Sequence, residues 1–151
     1  MNLTSGKLQN FKNYEVGQIL KGNIERGRDL KTRLEEIIKE AGIEAGYVQV
    51  LGAVRCARLG YFNQNSCEYE YHNFDEPVEI INCSGNISLS TENEPTLHAH
   101  MVVSDKSGKA YGGHLETGTE VYVGETIIQE FKGEPHRRSE DPESGLTLWS
   151  Y

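Results

Sequence analysis

The sequence predicts an α+β domain, a mainly antiparallel β-sheet with one long α-helix flanking it. Three observations carry the prediction. A single stretch of the chain has a helical hydrophobic period, nearly every other apolar segment is short and β-prone, and turn residues recur between those segments. Residues 1–151 are expected to form one domain, with a core over about 14–131 and a tail over 132–151.

The elements follow in order. Residues 14–20 read as a short first strand. Leu30, Leu34, Ile37, Ile38 and Ala41 then fall on one stripe of a helix whose wet face holds Lys31, Arg33, Glu35, Glu36, Lys39 and Glu40. Asp29 is placed to cap its start and Gly42 to end it in a left-handed conformation. Residues 47–54 form a longer apolar strand in which Gly52 marks a bulge or a close backbone contact. Strands over 58–63 and 68–71 flank the turn Asn63-Gln64-Asn65-Ser66, and strands over 78–83 and 86–90 are separated by Ser84-Gly85. Residues 96–103 and 109–116 make a hairpin around Ser104-Asp105-Lys106-Ser107-Gly108-Lys109. Residues 119–131 are the last long strand, with Gly124 interrupting its alternation. The tail ends in Leu146-Thr147-Leu148-Trp149, and its tryptophan is expected to tie it onto the domain or onto a neighbouring subunit.

Composition limits function. With 36% hydrophobic and 25% charged residues the chain is an ordinary globular sequence. No apolar run approaches the roughly 20 residues of a membrane span, and Met1 to Lys7 lack the regions of a signal peptide, so a cytoplasmic location is expected. The net charge of −8 disfavours sequence-independent binding of nucleic acid, which needs clustered cations. The only tight basic groups are Arg26-Gly27-Arg28 and His136-Arg137-Arg138. Cys56, Cys67 and Cys83 are odd in number and lack C-x-x-C spacing, which fits free thiols in a reducing compartment. Cys83, in an apolar strand, is the best candidate should a thiolate join a metal site.

Three of the five histidines lie in the predicted hairpin: His98, His100 and His114. On a strand, His98 and His100 project from one face. If paired residue numbers sum to 212 or 214, His114 faces His98 or His100, and three imidazoles converge as zinc and similar metals favour. The alternative is an exposed polar face, with His72 and His136 as further examples. Gly112 and Gly113 leave room for a ligand or another backbone. Glu116, Glu120, Glu125 and Asp105 are candidate carboxylates to orient the imidazoles. Glu125 interrupts the apolar series Val121, Val123, Ile127, and so either points outward or is paired inside.

Leu97-His98-Ala99-His100, the turn ending at Gly108, Gly112-Gly113-His114-Leu115 and Gly118 resemble the signature of the PPC domain, the plants and prokaryotes conserved domain. The segment from Glu79 to Ile87 looks like that family's Glu-Ile-Leu-Ser-Leu-Ser-Gly block, and Gly27-Arg28-Asp29-Leu30 like its helix entry. Residues 45–60 and Gly145 to Trp149 resemble its single-domain prokaryotic members. The resemblance implies an α+β fold assembling as a homotrimer, with zinc or a similar divalent metal bound by His98, His100 and His114. Plant members accompany AT-hooks in DNA-binding proteins, and many prokaryotic members are labelled predicted DNA-binding proteins. This chain departs from the plant pattern, because Arg26-Gly27-Arg28 is followed by Asp29 rather than proline.

The expected function is therefore that of a trimeric metal-binding protein, regulatory or DNA-associated by resemblance. The alternative is a metal-dependent enzyme acting through a metal-bound water on a small unidentified substrate. In that reading Glu125 or Glu116 carries the proton and Arg26, Arg28 or Arg137 grips an anionic group, with a small ligand at the open metal position.

Overall fold

In the computed structural model, which describes residues 10–150, β1 (Glu15–Ile24) leads into α1 (Leu30–Glu40). Asp29 caps the helix as its sequence position requires: one carboxylate oxygen accepts from the Thr32 backbone at 2.9 Å. The other accepts from the backbone N–H groups of Gly118 and Thr119, at 2.8 and 3.0 Å, so the cap also fastens the helix to the loop that precedes the strand starting at Glu120. Ala41 closes the helix, and Gly42 follows at φ +66°. Leu30, Leu34 and Ile38 are fully buried against the sheet, and each contributes about 1.5–3 kcal/mol relative to exposure.

The remaining strands are β2 (Gly46–Asn63), β3 (Glu68–Phe74), β4 (Val78–Leu89), β5 (Pro95–Ser104), β6 (Ala110–Leu115), β7 (Glu120–Lys132), β8 (Arg138–Glu140) and β9 (Thr147–Trp149). The main sheet runs β1-β7-β2-β4-β5-β6, entirely antiparallel, with β3 on the far half of β2. β6 returns to β2 at Leu59↔Leu115 and Gly60↔His114, closing a ring of four strands: β2, β4, β5 and β6. Among the described residues no helix is long and apolar enough to cross a membrane.

Two expectations about strand boundaries are corrected. Residues 47–54 and 58–63 are halves of one 18-residue strand, β2, which pairs with β7 and β4 first and with β3 and β6 afterwards. Likewise Ser84-Gly85 is not a break. Both residues lie inside β4, where Gly85 opposes Val48 on one side and Ala99 on the other. A Cβ at Gly85 would stand 2.5 Å from the His98 carbonyl oxygen, so that glycine permits close strand approach instead of a turn. Gly52 behaves as expected. It sits at a register shift with φ +143°, and a Cβ there would meet the Val123 carbonyl oxygen.

The tail folds back as the β8–β9 hairpin. Trp149 stacks on His136 at 4.5 Å and 11°, and the Leu89 N–H donates to the His136 carbonyl at 2.9 Å. The tryptophan thus packs within the tail, and the His136 carbonyl and Arg138 side chain fasten the tail to β4 of its own domain.

Candidate metal centre

The β5 sequence alternates strictly. Leu97, Ala99, Met101 and Val103 are buried, which turns His98 and His100 to the opposite face. The hairpin register pairs His100 with His114, one of the two alignments the spacing allows. His98 stands across from Asn86 of β4. The three rings are mutual neighbours, with centroids 5.1 Å apart for His98 and His100, 5.2 Å for His98 and His114, and 5.6 Å for His100 and His114.

Gly113 is what lets β6 come this close to β2. A Cβ on it would lie 2.7 Å from the Gly60 carbonyl oxygen and 3.1 Å from the Leu59 Cβ. The expectation of a close backbone approach therefore holds at Gly113, whereas Gly112 would make only ordinary contacts.

His114 Nδ1–H donates to Glu116 Oε1 at 2.9 Å, which leaves the lone pair on its Nε2. Nε2 of His98 and Nε2 of His100 are 3.2 Å apart. Burial pushes the His98 imidazole down to about 4, helped by the charges of His114, Arg138 and His100. Burial also lowers His114, against the opposing pull of Glu116. Both shifts favour the uncharged ring, the state in which imidazole binds a cation. Tyr69 stands against His114 at 5.6 Å, and burial raises its phenol above the usual range.

The rings are gathered but not locked. Among the described residues no group of three or more His, Cys, Asp and Glu side chains is placed so that it could hold a metal ion. His98 and His114 lie only 28° from parallel, while His100 is turned 70° and 67° from them. The donor set itself suits a borderline divalent ion. Two imidazole nitrogens held about 2.0–2.1 Å from one tetrahedral ion stand roughly 3.3 Å apart, close to the 3.2 Å between His98 and His100.

Of the carboxylates marked in the sequence, Glu116 alone reaches a histidine of the cluster. Glu125 is exposed, Glu120 pairs with Arg55 at 3.3 Å, and Asp105 organises its own turn through Ser107 and Lys109. Cys83 is fully buried, and desolvation pushes its thiol up to about 12, so it is a core residue and not a thiolate donor. The arginines proposed to grip an anion lie elsewhere. Arg26 covers the Tyr122 ring at 4.2 Å, Arg28 pairs with Glu36 at 2.7 Å, and Arg137 bonds to Asn93.

The cationic residue at the cluster is Arg138, which shares a groove of about 880 Å³ with all three histidines. The sequence names Arg138 within the basic group His136-Arg137-Arg138 but offers Arg137, not Arg138, as the residue to grip an anion. β8 begins at Arg138, which lines the groove, while Arg137 just before the strand is exposed.

Residues 11–132 match the family model described as the Plants and Prokaryotes Conserved (PCC) domain. A metal-containing protein from Archaeoglobus fulgidus has the same fold at 36% identity and a TM-score of 0.86, over 92% of this chain and 97% of that one. A plant- and prokaryote-conserved (PPC) protein from Pyrococcus horikoshii matches at 31% identity and a TM-score of 0.87, over 93% and 96% of the two chains. A candidate DNA-binding protein from Bacteroides thetaiotaomicron matches at 28% and 0.81, over 91% and 96%. Bifunctional GlmU proteins from two Synechococcus strains are 29% identical over 121 residues, which is 79% of this chain and 18% of theirs. The chain thus spans under a fifth of the length of the curated relatives it matches.

Proposed function

The chain belongs to the Plants and Prokaryotes Conserved domain family, and from that premise we propose that it is a metal-binding member whose centre is His98, His100 and His114. The observation that carries the reading is the convergence of three imidazoles across β5 and β6, one of them oriented by Glu116. Zinc or a similar divalent ion matches this donor set. The Archaeoglobus relative, a metal-containing protein over nearly the same length, supports it. When bound, such an ion would supply Lewis acidity at the floor of the groove.

The protein is further proposed to act as a cytoplasmic homotrimer. Tyr47 and Leu51 of β2 and Val123 and Ile127 of β7 are exposed apolar residues on the sheet face opposite α1, next to exposed Ile19 of β1. Covering that face between copies of the chain removes it from water. A regulatory, DNA-associated role follows the candidate DNA-binding relative. The charge of −8 requires any such contact to be local and strongly salt-dependent.

The test is metal analysis of protein prepared without a histidine tag. About one ion per chain is expected, with loss of the ion in both His98→Ala and His114→Ala. A metal-free native protein, or retention of the ion in both variants, refutes the centre. For the DNA-associated role, a mobility-shift titration at low salt should give complexes that dissolve as salt rises, and no complex at low salt removes that role.

A further inference from the structure

The half-buried guanidinium of Arg138 has the Trp149 ring 6.0 Å away but no anionic partner among the described residues. It donates from Nε to Ser88 Oγ at 2.9 Å, from Nη1 to the Thr147 carbonyl at 3.0 Å and from Nη2 to Asn86 Oδ1 at 3.3 Å. All three acceptors are neutral. Of the five N–H bonds of a guanidinium, Nη1 and Nη2 therefore each keep one. Among the described residues no carboxylate pairs with Arg138, whereas Arg28, Arg33 and Arg55 each find a glutamate. Burial lowers its basicity with no anion to offset the effect.

Its position is defined by the sheet. Asn86, which holds Nη2, is the cross-strand partner of His98, so the cation lies beside the histidine cluster on the same face. The groove they share has apolar walls from Phe62, Tyr69, Leu97, Leu146 and Leu148, and its volume of about 880 Å³ suits a small molecule. One cation, two spare donors and apolar walls fit a monoanion with an apolar body better than a phosphate dianion, half of whose charge would be unmatched.

We propose that this groove binds a small organic carboxylate and that Arg138 receives its charged end, which brings the rest of the molecule against the three histidines. The inference deepens the metal-centre reading and rests on it only for the ligand's second contact; the Arg138 contact stands without an ion.

The experiment is an NMR titration of the isotope-labelled protein with benzoate, with neutral benzamide, and with inorganic phosphate at constant ionic strength, run metal-free and after zinc loading. Benzoate is expected to give saturable shifts at Arg138, Thr147 and His98, and to bind about tenfold or more tightly than benzamide. Arg138→Gln should weaken benzoate about tenfold or more, and Arg138→Lys should recover part of the loss. Should Arg138→Gln fail to fold, the shift map and the benzoate-to-benzamide ratio of the unmodified protein decide.

The proposal is overturned by unsaturable benzoate shifts in both forms, by equal affinity in Arg138→Gln, or by phosphate binding more tightly than benzoate. Arg138-dependent benzoate binding in a protein that takes up no zinc would support it while ending the metal reading. Stoichiometric zinc without benzoate binding would do the reverse.

Discussion

At the scale of single residues, the histidine cluster is assembled by partners that cost little sequence. Glu116 acts two residues downstream of His114, where strand periodicity returns a side chain to the same face, and it fixes which ring nitrogen of His114 carries the proton. Glu116→Ala is therefore expected to keep the fold and to lower zinc affinity by about 10–100-fold, measured by competition with a chelating dye. An unchanged affinity would mean that the carboxylate does not orient the ring. Asp29 shows a different use of a carboxylate. Burial opposes its charge, but four donors from Thr32, Gly118 and Thr119 outweigh burial and hold it below its ordinary 3.8. A depressed carboxylate adds stability that is complete above that value and is lost as pH falls through the folded value. Asp29→Asn should consequently flatten the loss of stability below about pH 4, and Asp29→Ala should cost about 1–2 kcal/mol at neutral pH in urea unfolding.

At the scale of elements, the helix and the histidine hairpin were legible because each depends on local signals. The helix shows in its stripe of Leu30, Leu34 and Ile38 together with Asp29 and Gly42, and the hairpin in its turn and its alternation. Long strands were not legible as units. Residues 47–63 change partners along their length, and no local pattern marks that exchange. Glycine was ambiguous for a physical reason: the missing Cβ serves a turn, a positive φ and a close backbone approach equally well. At Ser84-Gly85 the structure uses it for the third. Gly52 is the strained case, because an alanine there meets both an unfavourable φ of +143° and the Val123 carbonyl. Gly52→Ala should destabilise by more than about 1 kcal/mol, with the β2–β7 amides around Ala53 and Val123 losing hydrogen-exchange protection first. Arg138 escaped sequence reasoning because its role depends on β8 returning to β4, a contact between residues about fifty positions apart in the chain.

At the scale of the whole molecule, the two faces of the sheet divide the work. One face packs on α1 around Val48, Val50, Val121 and Ile128, while exposed Leu51, Val123 and Ile127 lie on the other. If three copies cover that face, as proposed, Leu51→Lys together with Ile127→Glu should reduce the mass in solution, measured by light scattering, from three chains to one. A single-chain mass for the unsubstituted protein at micromolar concentration would contradict the assembly. The histidine cluster lies away from this patch, beside the β8–β9 hairpin, so each copy would hold a complete centre. The most direct test is anomalous diffraction at the zinc edge from crystals of the zinc-loaded protein. The account predicts one peak per chain, about 2.0–2.1 Å from the Nε2 atoms of His98, His100 and His114. No peak there, or a peak held by other side chains, would contradict it.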